Sequence, residues 1–182
     1  MEKAEEAAAS REAFGRHAVI LVSILAALLA IASLAGNRAS TEAILAQAVA
    51  SDTYNEYQAN SLKRHVNLDD AATLRLLAAG GPHEAEANSQ AAALEQAVAE
   101  KYQPAQDQLL PKAQELEQER DRNEAQHRIF QTAEASFQIG IVLTSVAIAA
   151  RVIPLLWAAG VLGVIGLLLT ADGILLLAPL FG

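Results

Sequence analysis

An uncharged apolar run near the beginning of the chain places the strongest constraint on its fold. The run covers residues 18–35, AVILVSILAALLAIASLA, and contains no charged side chain. As a helix it spans about 27 Å, close to the ~30 Å thickness of the hydrocarbon layer of a membrane. We therefore predict a membrane-spanning helix at 18–36, with a buried helix of a soluble domain as the alternative.

A second apolar run lies in the last third of the chain. The letters FQIGIVLTSVAIAA at 137–150 carry no charge, and the small residues just before them extend the run to spanning length. This pattern predicts a second membrane helix at 133–150. A buried soluble helix is again the alternative.

A third apolar run covers residues 152–182 and is interrupted only by Asp172. As one helix the run would measure about 46 Å, which is too long for a membrane unless the helix tilts or breaks. A proline and the single tryptophan near its start, and a proline near its end, predict a span at 155–178. A short tail at 179–182 would follow.

The segment before the first run distinguishes a membrane anchor from a cleaved signal peptide. Ser33 and Ala35 resemble the small residues of a cleavage site. Residues 1–17, however, mix acids with bases, and the run is longer than the apolar core of a usual signal peptide. We favour an uncleaved anchor preceded by an N-terminal tail at 1–17.

The distribution of arginines predicts the orientation. Arg11, Arg16 and Arg151 flank span ends on one side, and the tail after the third span has no basic residue. Cytoplasmic loops carry the excess of basic residues, so this rule puts the N-terminus in the cytoplasm. In a bacterium, the long segment 37–132 would then lie in the periplasm, and the chain would be a multi-pass protein of the inner membrane.

The segment 37–132 reads as a helical hairpin. It is rich in Ala, Glu and Gln, which are strong helix formers, and Ser40 is a suitable N-cap. Gly-Gly-Pro at 80–82 stops a helix and predicts the turn of the hairpin. Pro104 and Pro111 predict kinks in the second arm. We expect no helix boundary between that arm and the second span.

The two arms of the predicted hairpin contain few large apolar side chains, so their pairing buries little apolar surface. The second arm has residues at alternating steps of three and four, the spacing of a coiled-coil seam, although half are polar. These are Ala113, Leu116, Arg120, Asn123, His127, Phe130, Glu134 and Phe137. Among them, Leu116 and Phe130 are candidates for packing within or between copies. Because ordering so many residues needs more burial than one hairpin offers, we predict a homo-oligomer of hairpins. A loose monomeric hairpin is the alternative.

The spans carry small residues at helical spacing, which allow the close backbone approach that drives helix packing in lipid. Gly140 in the second span and Gly163 and Gly166 in the third are the packing candidates, either within one chain or between copies. Asp172 is the one ionisable residue well inside a predicted span. An intramembrane acid is by default a functional candidate, although we favour an interfacial or helix-breaking role.

Composition excludes several classes of function. The formal net charge of −8 argues against a basic nucleic-acid binder, and the absence of Cys excludes disulfides, thiolate metal sites and cysteine nucleophiles. His65 and Asp69 share a helix face, but a metal site needs three or four ligands. There is no phosphate loop and no nucleophile elbow. We expect neither enzyme activity, nor a cofactor, nor a metal.

Two stretches resemble a bacterial family known as domain of unknown function 4337. They are GNRASTEAILAQAVASDTYNEYQANSLKRH at 36–65 and ELEQERDRNEAQHRIFQTAEASFQIGIVLTSVAIAARV at 115–152. The run around Tyr54, Tyr57 and Gln58 is the most recognisable part. The resemblance implies an inner-membrane protein with no assigned activity and supplies no active site. We interpret these three residues as helix-packing residues just beyond the membrane.

Together these features predict an all-α membrane protein, with three transmembrane helices and a long antiparallel extramembrane helical hairpin between the first and second. The expected function is a non-enzymatic, self-associating scaffold in the bilayer. Two alternatives stay open: an accessory subunit of a larger membrane complex, and a pore or transport component that uses Asp172.

Overall fold

The computed structural model describes the backbone of residues 2–177 and the side chains of residues 14–175. Over these residues every element is helical, which confirms the all-α class. The elements are α1 (Glu2–Ala78), α2 (Glu84–Ala97), a π-helical segment (Val98–Tyr102), α3 (Gln103–Ala150) and α4 (Ile153–Leu177). The predicted tail at 179–182, the last residue of the third span, and the side chains of the first 13 residues lie outside the described part.

The break between α1 and α2 falls at the Gly-Gly-Pro sequence. Helix α1 ends at Ala78, and Gly80 adopts a φ of 70°, a left-handed conformation that glycine takes without steric cost. The N–H of Gly81 donates to the carbonyl of Ala78 at 3.0 Å, and the N–H of Gly80 donates to the Glu84 carboxylate at 3.0 Å. These bonds satisfy backbone groups that the helix end leaves free.

The irregular stretch of the second arm lies before the prolines. The N–H of Gln103 bonds the carbonyl of Val98, five residues earlier, which is the spacing of a π-helix. Pro104 has no N–H to donate, so a shift of bonding partners at this point accommodates it. Pro111 lies inside α3, which continues without a break to Ala150. As expected, no helix boundary precedes the second predicted span within α3.

A tight turn joins α3 to α4. Arg151 has a φ of 56°, and the N–H of Val152 donates to the carbonyl of Ala147 at 3.2 Å. Helix α4 begins at Ile153, before the predicted start of the span at 155. The reason is Pro154, whose fixed φ and missing N–H suit the first turn of a helix.

The chain divides into two compact units, which we call unit 1 (residues 1–42 and 122–182) and unit 2 (residues 43–121). Within the described residues, three helices are long and apolar enough to cross a membrane by length and composition. They are Phe14–Ala78, Glu84–Ala150 and Ile153–Leu175. Their number agrees with the number of predicted spans.

Candidate functional site

Three layers of contact hold α1, α3 and α4 together in unit 1. In the first, Leu25 is buried between two glycines. A Cβ on Gly140 would lie 3.1 Å from Leu25 Cδ1, and a Cβ on Gly163 would lie 2.7 Å from Leu25 Cδ2. The Gly140 Cβ would also lie 3.4 Å from the carbonyl oxygen of Ala159 on α4. Glycine therefore lets the backbones approach closely at this level.

The second and third layers pair a phenylalanine ring with a glycine. A Cβ on Gly166 would lie 2.7–3.0 Å from three ring carbons of Phe137, and one on Gly173 would lie 2.9 Å from two ring carbons of Phe130. Phe130 also contacts α1, because a Cβ on Gly36 would lie 3.1 Å from its Cβ. Both rings are fully buried. These contacts make α3 antiparallel to α1 and to α4 within unit 1.

The predicted packing candidates of the spans, and Phe130 just before the second span, belong to these layers. Phe130, Gly140, Gly163 and Gly166 are buried and contact a neighbouring helix. Their partner Leu25 was missed, because an isolated leucine in an apolar run looks like every other leucine of that run. Small-residue spacing identifies the packed face of a helix but not the side chain that fills it.

Polar groups lie at the Phe130 end of unit 1. The carbonyl of Gly36 can only accept, so His127 Nδ1 donates to it at 2.9 Å. His127 Nε2 is then the acceptor for the Gln131 amide, 2.9 Å away. Gln126 lies one turn before Phe130 on α3 and is fully buried. Neither of its side-chain polar atoms has a hydrogen-bond partner among the described residues. Sequence reasoning missed Gln126.

Asp172 lies at this same end. Its neighbour Gly173 contacts the Phe130 ring, and Phe130 contacts Gly36, where the uncharged run of α1 gives way to Asn37 and Arg38. The Asp172 side chain is exposed rather than directed into the contacts between the helices. Asp172 therefore belongs to the polar end of unit 1.

Hydroxyl groups inside the apolar segments bond to their own helices. The Thr144 hydroxyl donates to the carbonyl of Gly140 at 2.8 Å, and the Thr170 hydroxyl donates to that of Gly166 at 2.8 Å. Ser23 and Ser145 make the same bond to the carbonyl four residues before them. Such bonds satisfy a polar side chain without water.

In unit 2, α1 contacts α3 through polar side chains. The Tyr54 hydroxyl donates to the Glu117 carboxylate at 3.1 Å, and Arg120 donates to the Gln47 amide oxygen at 2.6 Å. Burial of its phenol, and then the bond to Glu117, raise the pKa of Tyr54 above its ordinary value of 10.0. Tyr54, one of the predicted packing candidates, is half-buried and bonds α3 from α1.

A bidentate ion pair between Arg75 and Glu95 joins α1 to α2. Arg75 Nη2 donates to Glu95 Oε2 at 2.8 Å, and Nη1 donates to the other carboxylate oxygen. This bond to Arg75 lowers the pKa of Glu95 below its ordinary value. Both side chains are partly exposed, so the pair orients the helices more than it stabilises them.

A cleft of about 460 Å³ lies between α1 and α3 in unit 2. Tyr57, one of the predicted candidates, lines it together with Arg64 and Gln106. The Nε of Arg64 is buried and has no hydrogen-bond partner among residues 14–175. The other two candidates of unit 2 lie elsewhere, since Gln58 is exposed and Leu116 is half-buried on α3.

The part of α1 in unit 2 also has an apolar face that none of the described residues covers. Large exposed apolar side chains in unit 2 occur on α1 alone: Ile44, Leu45, Val49, Leu62, Val66, Leu76 and Leu77. At about 100° per residue most of them lie roughly opposite the face that holds buried Ala46, Ala50 and Ala71. The exposed fraction reaches 66% at Leu62 and 83% at Leu77, although exposed acidic residues interrupt the face at Asp52, Glu56, Asp69 and Asp70.

Among residues 14–175, no three His, Cys, Asp or Glu side chains are close enough together to hold a metal ion. A family model described as "Domain of unknown function (DUF4337)" matches residues 15–176, which is most of the chain. Neither the curated proteins nor the solved structures contain a match.

Proposed function

The chain belongs to the family of unknown function DUF4337, and since this family supplies no activity we propose a function from the contacts described above. The protein is a non-enzymatic scaffold of the bacterial inner membrane. Unit 1 crosses the bilayer three times, and the helices of unit 2 pair as an antiparallel hairpin in the periplasm. Copies of the protein associate through their hairpins.

The outer surface of unit 1 supports insertion into a bilayer. Large apolar side chains point away from the helix contacts, such as Leu34 on α1, Val142 on α3 and Leu168 on α4, which are 60–75% exposed. In water such a continuous apolar surface would cause aggregation, whereas in lipid it is the expected exterior. The hydroxyls that bond to their own helices suit the same environment.

The positions of basic residues in unit 1 support the orientation. Phe14 and His17 of α1 line one cleft with Ile153 and Trp157 of α4, so the neighbouring Arg16 and Arg151 lie at one end of the unit. The positive-inside rule assigns that end to the cytoplasm. A single cysteine replacing exposed His83, near the hairpin turn, tests this, because the chain has no other thiol. Labelling by an impermeant reagent before the inner membrane is opened supports the orientation, and labelling only afterwards overturns it.

The observation that carries the proposed self-association is the uncovered apolar face of α1 in unit 2. A helix in water is expected to bury such residues, yet α2 and α3 pack against the opposite face. A second copy of the same helix covers this face in the proposed assembly. The part of α1 in unit 2 has little net charge, so two copies of it can approach one another. The adjoining α2 and α3 carry most of the acids of unit 2, so these helices of two copies repel one another and stay away from the contact.

Two other functions are less well supported. A pore that uses Asp172 would need this carboxylate inside the helix contacts, whereas it is exposed at the polar end of unit 1. An accessory subunit of a larger complex would use the same apolar face of α1 for a different protein. The test below separates that alternative from self-association.

The test is the mass of the purified protein in detergent and in lipid nanodiscs, determined by light scattering. We expect a defined multimer that the double substitution Leu62→Glu and Leu77→Glu reduces to monomers. Asn88→Glu, also exposed in unit 2 but on α2, adds a charge away from the face and serves as the control. A monomeric wild type overturns self-association, and a multimer that survives both substitutions on α1 overturns the role of the hairpin.

A further inference from the structure

We propose that the cleft between α1 and α3 in unit 2 is a binding site for a carboxylate, anchored by the guanidinium of Arg64. The cleft has a volume of about 460 Å³, within the ~300–1,000 Å³ range of small-molecule sites. The proposal goes beyond the scaffold function. It does not depend on membrane insertion.

The state of Arg64 is the first observation. Arg64 is half-buried, and among residues 14–175 no hydrogen bond or ion pair involves its side chain, although unit 2 is rich in acids. Its Nε is too deeply buried to contact a ligand, so the Nη groups present the charge of the guanidinium to the cleft. The two Nη groups match the two oxygens of a carboxylate, so a carboxylate in the cleft pairs with the accessible part of Arg64.

The other lining residues complete a polar site. Tyr57 and Ser61 bring hydroxyl donors on the same helix as Arg64, and Gln106 brings a buried amide from α3. Asp107 also lines the cleft, and Gln103 donates to its carboxylate at 3.1 Å. Donors thus come from both helices, which is how a small ligand is oriented in a cleft.

The permanent charges of the lining are those of Arg64 and Asp107, and His65 also lines the cleft. Arg64 is the group that pairs with an anion, and the parallel N–H groups of its guanidinium match the two oxygens of one carboxylate group. The carboxylate belongs either to a small molecule or to an acidic side chain of a second copy.

The backbone at the cleft is irregular on the α3 side. The π-helical segment ends at Tyr102, immediately before the lining residue Gln103, and Pro111 lines the cleft without a backbone N–H. Single-turn π-helical segments occur often at functional sites.

A protection experiment with succinate as the probe tests the proposal on the full chain. Leu110 lines the cleft without a polar group, and Leu110→Cys creates the only thiol of the chain. At ten times its dissociation constant, succinate is expected to slow thiol labelling about tenfold by mass action, whereas chloride at equal ionic strength is not. Arg64→Gln should abolish the protection. Ser89→Cys, exposed on α2, should show none.

The outcomes distinguish the sources of the carboxylate. Protection that requires Arg64 indicates a small-molecule site. Absence of protection, combined with a fall in the multimer mass on Arg64→Gln, identifies an acidic side chain of a second copy. Equal labelling rates with an unchanged mass, or protection that persists in Arg64→Gln, overturn the proposal. If Leu110→Cys fails to fold, the rise in the melting temperature of the wild type with succinate, compared with that of Arg64→Gln, replaces the labelling.

Discussion

The ring of Phe137 occupies the space beside Gly166, so that a Cβ at Gly166 would lie 2.7 Å from ring carbon Cε1 and 2.9 Å from Cζ. Real Cβ atoms do not approach other atoms so closely, and the fully buried ring has no free volume into which it can move. The distance between α3 and α4 at this level therefore depends on the absence of a side chain at Gly166.

Gly166→Ala is expected to destabilise unit 1 by about 1–2 kcal/mol. Overpacking costs roughly 1–3 kcal/mol, and replacing a helical glycine by alanine returns up to ~1 kcal/mol. Reversible unfolding in mixed micelles measures the difference. Gly160→Ala is the matched control, since nothing lies within 4 Å of its Cβ position, and it should be neutral or slightly stabilising. Equal destabilisation by both substitutions would contradict this account of the packing.

Gly163→Ala should cost less than Gly166→Ala. Its Cβ would approach Leu25 Cδ2 at 2.7 Å, but a methyl group at the end of a flexible side chain can rotate away, whereas an aromatic ring moves as one body. The same unfolding assay gives the ranking. The reverse order would show that Leu25 is held more rigidly than Phe137.

The periodicity of the sequence predicted which side of α3 is buried, but not which residues of the other helices contact that side. Each member of the seam from Ala113 to Phe137 is buried or half-buried, because a repeat of three and four keeps residues on one side of a helix. Gln126 and Arg64 were missed because polar residues at such positions are typical of a solvated face. The π-helical segment at 98–102 was missed because Pro104 marks only where a donor is lost, not which turn adjusts.

Replacing Glu117 should lower the pKa of the Tyr54 phenol. Burial is the larger cause of its raised pKa and persists in Glu117→Gln, so the pKa should fall only part of the way towards 10.0. The pKa of Tyr54 is higher in the folded than in the unfolded protein. The neutral phenol therefore stabilises the fold below about pH 10, and this stabilisation is lost as the pH rises through the folded pKa. The difference in phenolate absorbance between the wild type and Tyr54→Phe isolates Tyr54 from the other tyrosines.

The ion pair of Arg75 and Glu95 predicts that the stability of the helix ends near the turn at 80–82 depends on pH. The pKa of Glu95 is lowered from 4.5, so its contribution is complete above about pH 4.5 and is lost as the pH falls through the lower folded value. Hydrogen exchange at the end of α1 should be faster in Glu95→Gln than in the wild type at pH 6. Below the folded pKa of Glu95, the two proteins should exchange at equal rates. A difference that persists at the lowest pH would show that the effect is not electrostatic.

The position of Asp172 predicts where water reaches α4. In the proposed topology, the contacts of Gly173 with Phe130, and of Phe130 with Gly36, put Asp172 at the periplasmic boundary of the bilayer, where a carboxylate stays hydrated. In liposomes, a cysteine at Asp172 should react readily with an impermeant thiol reagent, whereas one at Leu168, 66% exposed towards lipid, should react slowly. Asp172→Asn should leave ion flux through liposomes unchanged. A loss of flux on this substitution, or equal labelling at both positions, would instead put the acid within a hydrated path through the membrane.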